Sequence, residues 1–225
     1  MIATVVNAAA IAVGAILGWK AGILLSEKMS RTLVTVMAIV VLALGIEMML
    51  QGGDYFLQVI ISLVIGALVG DLLDIEGFVE RIGARLQQTA GSRLQGDLAR
   101  GFVNATLVYC IGPMAIIGAM EAGLNGNYEI LLAKAAIDGV TAIAFASTQG
   151  LGVLFSGGAV LIYQGLLTLG AKYLADVLAL AGPQLTATSG ILLMALGIKM
   201  LEIKPVSVAN LLPALPVVAL LALIF

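Results

Sequence analysis

Eight apolar runs, each close to the length of a membrane span, follow one another along this chain with short polar breaks between them. They fall at about 2–18, 32–50, 55–73, 101–122, 130–148, 152–170, 185–203 and 206–225, with a charged stretch at 74–100. A helix crosses the roughly 30 Å hydrocarbon core of a bilayer in about 20 residues. Charged residues make up 11% of the chain and hydrophobic ones 61%. Soluble domains carry roughly 25% charged residues, so this chain cannot clothe a water-facing surface. The expected fold is an all-α polytopic membrane protein of about eight transmembrane helices.

The same composition excludes several chemistries. There is no histidine, and Cys110 is the single cysteine. An internal disulfide is excluded, and a zinc or copper site would lack its imidazole and thiolate ligands. No nucleophile–base pair can be built without histidine, and neither an HExxH motif nor a glycine-rich phosphate loop is present. Catalysis and a cofactor are therefore not expected. An ion bound here would meet carboxylate, hydroxyl, amide and carbonyl oxygens.

Charge placement sets the expected topology. The N-terminal run Met1–Gly18 lacks a basic leader and a cleavage site, so it reads as a retained first span. With eight spans, Lys20, Lys28, Arg31, Arg81, Arg85, Arg93, Arg100, Lys199 and Lys204 share one side, nine of the eleven basic residues. The positive-inside rule makes that side cytoplasmic and puts both termini outside. Merging the runs at 130–148 and 152–170 across Gln149-Gly150-Leu151-Gly152 would weaken this bias. Within the 74–100 stretch, Ile75, Phe78, Val79, Ile82 and Leu86 recur at helical spacing among Glu76, Glu80, Arg81 and Arg85. That pattern suits a helix lying at the membrane interface or packed on the bundle's own loops. Gly91 is expected to end it.

The chain also repeats itself. Residues 33–50 align without gaps with 185–202, and seven of the 18 positions are identical, including Ala43-Leu44-Gly45-Ile46 against Ala195-Leu196-Gly197-Ile198. The same offset pairs Lys20 with Lys172 and Gly18 with Gly170. Spans 1–3 would then correspond to spans 6–8 in the opposite membrane orientation, flanking spans 4 and 5. Within one transmembrane domain this gives a first repeat at 1–73, a cytoplasmic amphipathic segment at 74–100, central spans at 101–148 and a second repeat at 152–225. Inverted repeats are an architecture of secondary transporters, with the site near the midplane at the repeat interface.

A charge inside the hydrocarbon costs at least about 2.5–3.5 kcal/mol on the insertion scale, so it needs a partner, a cavity or a task. Asp138 lies mid-span with Thr141 nearby, and Lys134 precedes it by one helical turn. Either the two form a structural pair, or Asp138 serves a cation, a proton or a solute. Ser147, Thr148 and Gln149 close the same span. In span 4, Pro113 removes a backbone donor and should open the helix around Tyr109–Gly112, between Asn104 and Glu121. Glu47 and Lys199 occupy equivalent repeat positions near span ends, where long side chains reach water. Asp71 and Asp74 read as loop charges. Gly14, Gly18 and Gly22, and again Gly66 and Gly70, keep the spacing of close helix contacts. Ser156-Gly157-Gly158 could interrupt span 6, opposite Val5–Asn7 in the first repeat.

The run Tyr109-Cys110-Ile111-Gly112-Pro113-Met114-Ala115-Ile116, the Lys134…Ile137-Asp138-Gly139 stretch and Phe145-Ala146-Ser147 resemble the YdfK/YqgA-like family of bacterial inner-membrane proteins, a domain of unknown function. The resemblance covers the whole chain and implies a multi-pass location in the bacterial inner membrane, but no substrate. The residues themselves point to a secondary transporter of a small polar or ionic solute, coupled to a proton or cation through Asp138. A channel would use the same residues, and a non-transporting scaffold or sensor would use the 75–100 segment. The expected partners are the bilayer, the solute, its coupling ion and a second copy of the chain, not nucleic acid.

Overall fold

The computed structural model describes residues 1–90 and 98–224. Among the described residues there are ten α-helices: α1 (Ile2–Gly22), α2 (Glu27–Leu50), α3 (Phe56–Leu73), α4 (Ile75–Ala90), α5 (Leu98–Ile111), α6 (Pro113–Leu124), α7 (Glu129–Gln149), α8 (Gly152–Leu180), α9 (Gly182–Met200) and α10 (Ala214–Leu221). No strand occurs among the described residues. Arg93 and the expected stop at Gly91 lie outside them.

Local chemistry explains the breaks. Ser26 caps α2 by accepting a hydrogen bond from the Met29 N–H. Gly150 takes φ +83° between α7 and α8, a conformation that favours glycine and separates the two runs as the turn residues suggest. Pro113 is the first residue of α6, and Gly112 before it is extended (φ −65°, ψ 144°), as the residue before a proline tends to be. Span 4 is therefore a broken helix, with α5 and α6 meeting at 58°. The Ser156-Gly157-Gly158 interruption does not occur. α8 runs unbroken through it, because the Ser156 hydroxyl bonds back to the Val153 carbonyl and Gly157 packs against the Ala8 carbonyl.

Among the described residues, five helices are long and apolar enough to cross a membrane: α1, α2, α3 with its preceding turn, α7 and most of α8. The bent pair α5–α6 makes a sixth. The two further runs, 185–203 and 206–225, fall on α9 and on a short apolar segment, Val208–Leu221. α9 begins with Gln184, Thr186, Thr188 and Ser189, all buried.

The molecule wears its apolar side chains outward. Leu24 and Leu72 are 86% exposed, and Leu57, Leu68, Ile162 and Leu166 are also largely exposed. Meanwhile Asn7, Gln164, Thr188 and Ser189 are fully buried. A soluble protein does not leave a continuous apolar exterior to water, whereas a bilayer is the natural solvent for one.

Glycines set the close crossings. A Cβ on Gly14, Gly18 or Gly22 of α1 would collide with the carbonyl oxygens of Gly139, Ile143 and Ser147, so α1 and α7 run parallel in tight contact. Gly66 and Gly70 of α3 fit as closely against Ala214 and Asn210, in antiparallel order. Both glycine stripes in the sequence thus serve contacts within the chain. α2 and α9 are antiparallel too. A Cβ on Gly45 would lie 2.7 Å from the Gly190 carbonyl oxygen, and one on Gly197 would lie 2.5 Å from Leu42.

α4 lies across one end of the bundle. Ile75, Val79, Ile82 and Leu86 pack against the core, while Phe78 faces outward. Glu76 anchors it, accepting from Lys199 of α9 and from the Ala209 N–H at 2.7 Å. The Asn210 carboxamide ties the same corner to Asp71 and to the Glu76 N–H. This is a helix packed on its own bundle.

Candidate functional site

The buried stripe of α7 comprises Leu131, Lys134, Ala135, Asp138, Ala142, Phe145, Ala146 and Gln149, recurring every three or four residues. Helical periodicity therefore turns Lys134 and Asp138 inward together, where α1 and α8 approach. The Lys134 ammonium and Asp138 Oδ2 form an ion pair, with both side chains under 8% exposed. Asn7 Nδ2 of α1 donates to the same Oδ2 at 3.0 Å and reaches Gln164 Oε1 of α8 at 3.3 Å. Tyr109, one turn before the helix break, lies beneath the Lys134 ammonium at 5.7 Å and meets Phe145 edge-on. Four helices thus converge on one carboxylate.

Asn7 Oδ1, Gln164 Nε2 and the Thr4 hydroxyl are buried here without a protein partner. An unmade hydrogen bond in an apolar interior costs about 1–3 kcal/mol, so these three atoms are unused hydrogen-bonding capacity on α1 and α8. Sequence reasoning named neither Asn7 nor Gln164 as a site residue. The available signal was a lone carboxamide in each of two mostly apolar helices.

A second polar group lies eleven residues further along α7, about 16 Å at the helical rise. There Asn104 Nδ2 donates to Gln149 Oε1 at 2.9 Å, and both side chains are buried. Two clefts end at this pair. One, of about 530 Å³, is lined by Glu80, Arg100, Asn104, Lys199, Glu202 and Lys204 among others. The other, of about 510 Å³, is lined by Ser30, Arg31, Thr35, Thr148, Gln149 and Glu202 among others. Arg100 and Glu202 pair at 2.8 Å and border both clefts, while Asp138 lines neither.

The residues singled out in the sequence therefore divide. Asp138, Lys134 and Tyr109 come together, with Thr141 on the adjoining face of α7, its hydroxyl turned to the Ile137 and Asp138 carbonyls. Asn104, Thr148 and Gln149 gather at the clefts. The Ser147 hydroxyl bonds only its own helix, to the Ala144 carbonyl. Gly112 and Pro113 form the break between α5 and α6, half-buried. Glu121 lies at the far end of α6, accepting from Asn125. Glu47 is exposed on α2, and Lys199 is held by Glu76. α9 adds a buried polar run that sequence reasoning passed over: Gln184 Oε1 and the Thr188 and Ser189 hydroxyls have no protein partner.

An apolar exterior, with polar side chains kept inside, carried on at least five long apolar helices, defines a multi-pass helical membrane protein. The chain belongs to the family described as "Protein of unknown function (DUF554)", whose model matches residues 2–223. It is 32% identical over 221 residues to "Uncharacterized membrane protein YdfK" of Bacillus subtilis (strain 168), covering 96% of this chain and 93% of the relative. It is 30% identical over 218 residues to "Uncharacterized protein YqgA" of Escherichia coli (strain K12), covering 93% and 91%. No solved structure matches it.

Proposed function

We propose that this protein is a secondary transporter of a small polar or ionic solute, coupled to a proton or cation through Asp138. The observation that carries the reading is the carboxylate itself, buried mid-helix and gripped by side chains from α7 and α1, with α8 joined through Asn7. Under the sequence repeat, α1 and α8 are equivalent elements, so the carboxylate sits at the interface between repeats. That is where transporters of this architecture hold their ligands.

Inverted repeats are part of the proposal, and the α2–α9 crossing supports them. The alignment pairs Gly45 with Gly197, Ala38 with Gly190 and Leu42 with Met194. Gly45 abuts Gly190 and Met194, and Gly197 abuts Ala38 and Leu42, so each contact has its counterpart under a two-fold exchange. Eight spans follow if α9 and the Val208–Leu221 segment count as crossings that are protein-lined rather than lipid-lined. We further propose a bacterial inner-membrane location with the α4 end cytoplasmic and both termini outside. The Ser30–Thr148, Lys199–Glu76 and Arg100–Glu202 contacts gather the basic loops at that end, in keeping with the positive-inside rule.

The test is a thermal-shift screen of purified protein against ions, amino acids and metabolites, followed by counterflow of the hit in proteoliposomes. A ligand at 100 times its dissociation constant stabilises the native state by about 2.7 kcal/mol. Saturable counterflow that requires Asp138 supports a coupled transporter. Linear, non-saturating flux favours a channel, and absence of flux for every stabilising ligand sinks the reading.

A further inference from the structure

We infer that the ion exchanged at Asp138 is a proton and not a metal cation, with the Lys134 ammonium standing where a metal would otherwise sit. The inference rests on the transport reading above and narrows it. Asp138 Oδ2 already accepts from two nitrogen donors, Lys134 Nζ and Asn7 Nδ2. The Asn7 amide is held in that sense because its Nδ2 also serves Gln164 Oε1. Turning it over would set its carbonyl oxygen against the carboxylate.

A hard metal cation needs a cage of oxygens, about six to eight for calcium. Around Asp138, α7 contributes an ammonium, α1 an amide N–H, α8 the Gln164 carboxamide whose free atom is Nε2, and α5 the Tyr109 ring. No second carboxylate joins, and no group of three or more His, Cys, Asp or Glu that could hold a metal occurs among the described residues.

A proton asks for much less, one lone pair on one carboxylate oxygen. Asn7 Oδ1 and Gln164 Nε2 are fully buried, an acceptor and a donor without protein partners. Water, donor and acceptor at once, fits such a pair and can deliver the proton; a metal ion would face the N–H₂ group. An excess proton from bulk, relayed by that water, passes to a carboxylate oxygen of Asp138 and leaves a neutral acid and an intact water, with the Lys134 ammonium over the Tyr109 ring, within cation–π range. Hydrogen bonds to a charged acceptor are roughly twice as strong as neutral ones, so protonation loosens the Asn7 link between α1 and α7. Loss of the proton to water on the other side restores the link. The chemistry that loads the ion thereby loosens the contact between the first repeat and the central helix.

Infrared difference spectroscopy of the purified protein in nanodiscs reads this directly, comparing acidic and alkaline buffer in wild type, Asp138→Asn and the exposed control Glu129→Gln. The expected result is a carboxylic-acid carbonyl band that grows on acidification, survives in Glu129→Gln and vanishes in Asp138→Asn. The thermal midpoint should also shift with pH equally in sodium, potassium and choline chloride, and that shift should shrink in Asp138→Asn. A midpoint raised by sodium or potassium over choline in wild type but not in Asp138→Asn overturns the proton assignment while leaving the transporter standing. Absence of the Asp138 band across the pH range overturns it as well. Failure of the transport reading looks different: no flux in proteoliposomes for any ligand that stabilises the protein.

Discussion

Gly45 of α2 and Gly190 of α9 cross backbone to backbone, so that a Cβ placed on Gly190 would lie 2.5 Å from the Gly45 carbonyl oxygen. Lipid tails offer helices no hydrophobic drive to associate, so close packing of this kind carries the association. Overpacking a filled site typically costs about 1–3 kcal/mol. Gly45→Leu and Gly190→Leu should each lose at least that much, read as a lowered thermal midpoint in detergent. Gly53→Leu is the control, since nothing lies within 4 Å of a Cβ there. Equal midpoints for Gly45→Leu and Gly53→Leu would show that the crossing contributes nothing.

Asn7→Ala removes one of the two donors to Asp138 Oδ2 and orphans Gln164 Oε1. The loss of a buried hydrogen-bond partner costs about 1–3 kcal/mol. Combined with Asp138→Asn, the loss should be smaller than the sum of the two single losses, with a coupling of about 0.5–3 kcal/mol for residues in contact. Strict additivity in that double-mutant cycle would mean that the amide does not hold the carboxylate.

Composition and periodicity made much of this legible. The first six apolar runs became helices of spanning length, the fourth as the bent pair α5–α6, Pro113 opened span 4 at Gly112, and the α1 glycines marked a close helix contact. Lys134 and Asp138 could be paired from their spacing alone. What the sequence did not reveal was which helix would supply the remaining donor, because Asn7 and Asp138 are 131 positions apart and meet only through packing. Nor could it separate Asp138 from Gln149. Both lie on the buried stripe of α7, and only the tertiary fold assigns one to the interior cluster and the other to the clefts. Glu47, a candidate from its place in the repeat, lies exposed on α2.

Topology can be checked with single cysteines in a Cys110→Ala background. Glu80→Cys on α4 should resist a membrane-impermeant maleimide in intact cells and react once the membrane is permeabilised. Asn127→Cys, in the turn between α6 and α7, should react in both. The opposite pattern would invert the assignment of the α4 end to the cytoplasm.

At the clefts, the Asn104–Gln149 hydrogen bond lies between the open end and the interior carboxylate. If it bars the path, Gln149→Ala should raise the rate at which cysteine reagents reach Asp138→Cys in a Cys110→Ala background, with little change in thermal midpoint. An unchanged labelling rate would move the path elsewhere.

The Lys134–Asp138 pair allows a sharper separation of structure from function. Removing one partner of a buried pair typically costs about 3–5 kcal/mol, whereas replacing both by apolar groups of similar volume is often neutral or stabilising. Asp138→Asn keeps the shape and an acceptor oxygen for Lys134 and Asn7, so its loss should fall below that range. Lys134→Met leaves the carboxylate with Asn7 alone and should be the more destabilised of the two. Lys134→Met/Asp138→Leu should then regain most of the wild-type thermal midpoint, because no unpaired charge remains. If the pair serves transport, this double variant folds and carries no ion-coupled flux, since the carboxylate that takes up the proton is gone. A double variant that recovers stability and coupled flux together would remove Asp138 from the mechanism. One that fails to fold while both single variants fold would make the pair structural.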